Sequence, residues 1–143
     1  MSASQVLPVV VQVFYAPANS TVLIEQPELH LHPSVQASLA DLFIAAAHVR
    51  EGGQRRNVQL LVESHSEHLL RRLLRRIAEE EIMANEVALY FCSQGLNGSR
   101  IEQLEVDEFG DVLNWPQDFF GDELEDVAVQ AEVGMQRKLK LEA

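Results

Sequence analysis

Apolar positions along this chain fall into short blocks whose period changes from one to the next. Residues 6–16 form an apolar, β-branched run whose composition favours a strand. Ser4-Gln5 ahead of it and Pro8 close behind fit a helix start equally well, and pattern leaves both readings open. Val22-Leu23-Ile24 is cut off by Glu25-Gln26-Pro27-Glu28, as a buried parallel strand is by a polar turn. Pro33 permits a helix to about Val49, with Val35, Leu39, Leu42, Phe43 and Ala46 on one face and Gly52-Gly53 as its stop. Residues 54–57 read as a polar loop, and residues 58–62 as a second buried strand ending in Glu63-Ser64-His65-Ser66. Ser66 is suited to cap the following helix, whose apolar stripe is Leu69, Leu70, Leu73, Leu74 and Ile77. The order β-α-β-α is that of a parallel sheet.

After Asn85 the pattern changes. Residues 87–93 read as a strand, Gly95-Leu96-Asn97-Gly98 as a turn, and residues 100–106 as the returning strand of a hairpin. Residues 102–126 are strongly acidic, interrupted by Phe109, Trp115, Phe119 and Phe120, and the tail from Ala128 is compatible with helix. The aromatics read as cover for a core rather than as a docking site. The boundary divides the chain into residues 1–85 and 86–143.

Composition narrows the function. An apolar content of 47% in 143 residues is enough to build a core. The net charge of −11 leaves nucleic-acid binding possible but unsupported. No apolar stretch approaches the roughly 20 residues of a membrane helix, and residues 6–14 lack the charged start of a signal peptide. The single Cys92 excludes an internal disulfide, and a cytoplasmic location is expected.

The polar groups that could carry chemistry sit where the two apolar strands stop, which is where open α/β sheets bind ligands. Glu25, Gln26 and Glu28 follow the first strand. A carboxylate there is suited to Mg²⁺, a hard cation held through one or two carboxylates, waters and phosphate oxygens. His65 follows the second strand, where an imidazole can donate to a phosphate or merely order its loop. His30 and His32, alternating in an extended segment, would lie on one side, and with His65 and His68 offer a zinc-like alternative. Arg75 and Arg76 precede Glu79 and Glu80 by one helical turn, as solvated i,i+4 pairs do. The glycine-rich loop G-x-x-x-x-G-K-[ST], which cradles nucleotide phosphates, is not in the sequence.

Ile-Glu-Gln-Pro-Glu-Leu-His-Leu-His-Pro at 24–33, followed by Glu-Ser-His-Ser-Glu-His-Leu-Leu at 63–70, resembles the SMC/ABC-like AAA ATPases, the group containing RecF and the OLD-type nucleases. Asn114-Trp115-Pro116 and Phe119-Phe120-Gly121-Asp122 resemble a domain of unknown function found at the C-terminus of related bacterial ATPases. The resemblance implies that Glu25 is the Walker B magnesium acid and that Gln26 stands where such ATPases usually carry a catalytic glutamate, with Glu28 able to substitute if its turn aims it inward. It implies that residues 29–33, including His32, form the D-loop touching the opposite subunit, and that His65 is the switch histidine. Ser4-Gln5 resembles the end of the signature motif, which reaches nucleotide on the other subunit and favours helix for residues 6–16. Two departures stand out: the Walker A loop is missing, and Met1-Ser2-Ala3 replaces the glycines expected before Ser4.

The expected fold is α/β, a partial parallel P-loop-type sheet carrying the Walker B half, with a small α+β C-terminal appendage. The expected function is to supply signature-end, Walker B, D-loop and switch-histidine elements to an ATP-driven dimer, with ATP and Mg²⁺ bound only alongside a Walker A-bearing polypeptide or the missing half, and with little activity alone. Homo-oligomerisation is the other expected association. The alternatives are a non-catalytic interaction domain with a degenerate ATPase fold, and a histidine/carboxylate metal-dependent hydrolase.

Overall fold

The computed structural model describes residues 3–96 and 98–116 together with positions 119, 130, 133 and 135; at residues 3–5 it describes the backbone only. Two compact units emerge from the contacts: Met1–Ala88 with Val106–Asp111, and Leu89–Glu105 with Val112–Ala143. The fold is mixed α/β, with one small parallel sheet and additional antiparallel strands.

The first unit begins with helix α1, Ala3–Phe14. Its β-branched residues favour a strand, yet Val6, Val9, Val10 and Val13 recur at helical spacing and turn inward, and Val13 is fully buried. Packing thus overrides propensity, even with Pro8 inside the helix withdrawing one backbone donor. Strand β1, Thr21–Glu25, buries Val22 and Ile24 and leaves Thr21, Leu23 and Glu25 outward. Helix α2, Pro33–Ala47, starts with Pro33 in its first turn and His32 as N-cap. It buries Leu39, Ala40, Ile44 and Ala46, a wider surface than one stripe, because it packs on two sides. Ala46, Leu42 and Phe43 join the core of α1 and the sheet, whereas Ile44 joins Ile77 and Ile82.

Gly52 and Gly53 do not end α2. They form the tight turn between β2, Arg50–Glu51, and β3, Gln54–Arg55, with φ of 57° and 80°. Positive φ at both central positions is what a two-residue hairpin turn requires and glycine supplies. The segment expected to be a polar loop is therefore half a hairpin. Arg56 follows it and is 97% buried, being 3% exposed. Its guanidinium donates to the carbonyls of Val13 (3.0 Å), Phe14 (2.5 Å), Ala16 (3.1 Å) and Ala46 (3.2 Å). Three of these carbonyls lie in the last turns of α1 and α2 and that of Ala16 just beyond α1, where helical donors run out and the negative end of each helix dipole lies; the Ala46 carbonyl also accepts the Val49 N–H at 3.4 Å.

Strand β4, Gln59–Glu63, lies parallel to β1 in the register Thr21↔Gln59, Leu23↔Leu61, Glu25↔Glu63. One face of the pair is covered by α1 and α2; Leu23 and Leu61 are exposed on the other. Both strands are thus half-buried, not the doubly covered strands their apolar runs suggest. Helix α3, Glu67–Ala78, is capped as expected: the Ser66 hydroxyl accepts from the Leu69 N–H at 3.1 Å. Asp41 on α2 receives Arg72 and Arg76 on α3, each at 2.6 Å. Arg75 pairs with Glu79 as expected, but Arg76 joins Asp41 and Glu79 rather than Glu80, whose φ of 60° turns it off the helix. Gly110 presses on the Leu74 carbonyl with no room for a Cβ.

In the second unit, β5 (Leu89–Gly95) and β6 (Gly98–Leu104) form the expected antiparallel hairpin, closing at Gly95↔Gly98. Phe119 packs against Phe91 and Trp115 with ring centroids 5.2 and 4.6 Å apart, so these aromatics cover the hairpin. Phe109 is exposed. Phe120, Gly121 and Asp122 and most of the tail from Ala128 lie outside the described residues.

Candidate functional site

Two loops leave the carboxyl ends of the adjacent strands β1 and β4, and they are hydrogen-bonded into one structure. Gln26 has a φ of 45°, which bends the chain sharply out of β1. Its N–H donates to the Glu63 carbonyl at 2.8 Å. Residues 27–30 form a turn closed by Leu29 N–H to Gln26 O (3.1 Å) and Leu31 N–H to Glu28 O (2.9 Å). The histidine-bearing segment is therefore not extended, as alternation assumed: His30 sits at φ 67° within the turn.

The turn sends its acids in different directions. Glu25 remains on the open face of the sheet, beside Glu63 in register. Glu28 is buried, 8% exposed, and its Oε1 accepts the His65 N–H at 2.7 Å. Its Oε2 is buried with no partner among the described residues. Gln36 makes a second link, donating from Nε2 to the Leu31 carbonyl (3.0 Å) and accepting from the Ser66 hydroxyl (2.7 Å). The His65 imidazole points outward, 76% exposed, with Nε2 3.9 Å from a Glu63 oxygen. The His32 Nδ1 accepts the Ser34 N–H at 3.3 Å, so this side chain caps α2. Ser4 and Gln5 lie in the first turn of α1, and their side chains are outside the described residues.

Gln26, Glu28 and His65 are thus brought to one end of the sheet, with Glu25 beside them. Sequence reading missed Gln36, whose two hydrogen bonds span the loops, and the Glu25↔Glu63 pairing. The signal for the latter was present, since both apolar runs end in glutamate, but the register that aligns them is tertiary. Among the described residues no three His, Cys, Asp or Glu side chains come together as a metal cage. Two adjacent exposed carboxylates do suit Mg²⁺, which keeps several waters and takes its other oxygens from phosphate. A shallow polar depression of about 350 Å³ lies at the amino ends of the same strands, lined by Asn19, Ser20, Thr21, Asn57, Val58 and Gln59. Its polar groups satisfy one another, Asn57 donating to Asn19 and Thr21 to Gln59. Among the described residues, no helix is long and apolar enough to cross a membrane.

Residues 4–71 match a family described as "AAA domain, putative AbiEii toxin, Type IV TA system". Residues 82–130 match a "Protein of unknown function (DUF3696)". No curated protein and no solved structure matches the chain. The first match spans most of α1 together with β1, α2, β4 and both loops, so every candidate residue lies within the matched segment. It supports an ATPase-like, nucleotide-binding function for this segment, and AAA ATPases generally use ATP and Mg²⁺.

Proposed function

We propose that this chain supplies the Walker B, D-loop and switch-histidine elements of an SMC/ABC-like ATPase of the RecF/OLD kind, acting as an ATP-driven dimer. Residues 1–85 are the ATPase lobe in this reading and residues 86–143 its appendage. The observation that carries it is the parallel β1–β4 pair, which ends in Glu25 and Glu63 side by side, with Gln26 and His65 in the loops that follow. Glu25 would hold Mg²⁺ through water, and the ion supplies charge neutralisation at phosphate oxygens. Gln26, whose amide both donates and accepts, orients the attacking water. His65, held outward by its loop, donates to the γ-phosphate. Residues 29–33, which include His32, meet the opposite subunit as the D-loop, as does the first turn of α1 with Ser4 and Gln5.

The sequence contains no phosphate-cradling glycine-lysine loop, so in this reading a Walker A-bearing polypeptide or the missing half completes the site, and homo-oligomers provide the dimer. The test is phosphate release from Mg²⁺-ATP, measured for the chain alone and for the chain mixed with a Walker A-bearing polypeptide. Turnover is expected only in the mixture, and Glu25→Ala should abolish it. Turnover by the mixture that ignores Glu25→Ala would sink the assignment. A second reading, a non-catalytic interaction domain, is favoured by one observation: an amide, not an acid, occupies position 26. That reading expects no turnover in any mixture.

A further inference from the structure

We infer that Glu28 is a positioning residue that acts through His65, rather than a general base. The β4 ladder ends at Glu63 and α3 begins after Ser66, so the N–H groups of residues 64–66 have no regular partners. Ser66 N–H is met by the Ser64 hydroxyl at 3.0 Å. His65 N–H is met by the Glu28 carboxylate at 2.7 Å, a short, charge-assisted bond made across from the other loop.

Burying a carboxylate is costly, and here one of its oxygens is left without a partner among the described residues. The oxygen that is partnered is spent on the backbone of His65, whose imidazole is exposed at the end of the sheet. The Gln36–Ser66 hydrogen bond ties the next residue to α2. His65 is therefore gripped at its own N–H and at its neighbour's side chain, while its ring stays 76% exposed. A buried group committed in this way is badly disposed to take a proton from a nucleophilic water. It is well disposed to fix where the His65 Cα, and hence the ring, is presented. The inference rests on the reading of His65 as a nucleotide-sensing donor, and it names what holds that donor in place.

Amide hydrogen exchange by NMR on the chain alone carries the first test. The His65 amide should exchange at least about tenfold more slowly in the wild type than in Glu28→Ala, while β4 amides keep their rates. Glu28→Gln, which retains a carbonyl acceptor of the same reach, should recover most of that protection. An unprotected His65 amide in the wild type, or no difference on Glu28→Ala, overturns the proposal. If Glu28→Ala does not fold, the wild-type protection and its retention in Glu28→Gln decide the matter. The second test is kinetic, in the mixture that turns over ATP. Glu28→Ala and His65→Ala should each lower kcat about ten- to a hundredfold at little change in KM, and the double variant should be no slower than either. Multiplying losses, or a Glu28→Gln as slow as Glu28→Ala, would make Glu28 an independent catalyst and overturn the proposal. Protection that follows Glu28 as expected, in a chain that no mixture activates, would remove the ATPase reading and leave the contact between Glu28 and His65 standing.

Discussion

Glu25 and Glu63 are the last register pair of the β1–β4 ladder, two carboxylates side by side on the open face of a parallel sheet. Like charges in adjacent strand positions repel; among the described residues neither side chain hydrogen-bonds an arginine or lysine to relieve it, and the His65 ring stands 3.9 Å from a Glu63 oxygen. The unliganded sheet therefore carries a local electrostatic cost, which a divalent cation or a basic partner side chain would relieve.

Glu63→Gln should consequently stabilise the isolated chain, by roughly 0.2–1 kcal/mol at low ionic strength. The gain should shrink as salt screens the pair. Urea unfolding at two salt concentrations measures both effects. A loss of stability, or a gain that salt leaves untouched, would mean that the two carboxylates do not interact.

The Asp41 cluster predicts the acid limit of the fold. The Arg76 guanidinium holds the Asp41 carboxyl below the usual carboxylate range, burial works against this, and Arg72 adds to the lowering. Glu79, through Arg75 and Arg76, and Glu86, through the Met83 N–H and Arg55, are lowered too. A carboxyl whose folded pKa lies below its unfolded one contributes stability fully present above the unfolded value of about 4 and lost as pH falls through the folded value. Stability should be flat through neutral pH in this respect and should decline below about pH 4. Asp41→Asn should cost up to about 1 kcal/mol at pH 7, these side chains being partly exposed, and should make the acid decline shallower. Urea midpoints across pH, wild type against variant, check the sign.

Arg56 predicts a larger loss. Its four hydrogen bonds end two helices inside the protein, and removing them strands buried carbonyls. Arg56→Met should destabilise by at least about 2 kcal/mol. Arg56→Lys should rescue little of it, because an ammonium lacks the planar fork that reaches both helix ends. A lysine variant as stable as the wild type in thermal melts would show that charge, not geometry, is what α1 and α2 require.

Arg56 also marks where the sequence stops being readable. Features set by neighbours in the chain were legible: the Ser66 cap, the α3 stripe, the β5–β6 hairpin, and the abrupt end of β1 at Glu25. Features set by distant partners were not. Arg56 reads as one polar residue in a polar loop, because its acceptors lie up to 43 positions away. Gly52-Gly53 suits a helix end and a hairpin turn alike, since both use positive φ, and only the Arg50↔Arg55 pairing decides. The direction of Glu28 depends on positive φ at Gln26 and His30, which neither residue type announces. For α1 the deciding spacing of Val6, Val9, Val10 and Val13 was in the sequence, but β-propensity pointed the other way.

Gln26 offers the sharpest test of the proposed chemistry. Its N–H is anchored to the Glu63 carbonyl, so a replacement of equal size keeps the same backbone path. An amide can orient water but cannot take its proton, whereas a carboxylate does both. In a mixture that hydrolyses ATP, Gln26→Glu should raise kcat, toward the roughly hundred- to ten-thousandfold that a general base contributes. The same change adds a third acid beside Glu25 and Glu63, so the unliganded variant should melt at lower temperature than the wild type. Mg²⁺ should restore part of the difference. Faster turnover together with lower unliganded stability would mark position 26 as lying against the reacting phosphate and its metal. A variant that is neither faster nor less stable would place Gln26 away from both, and the Walker B reading of residues 25–28 would fall with it.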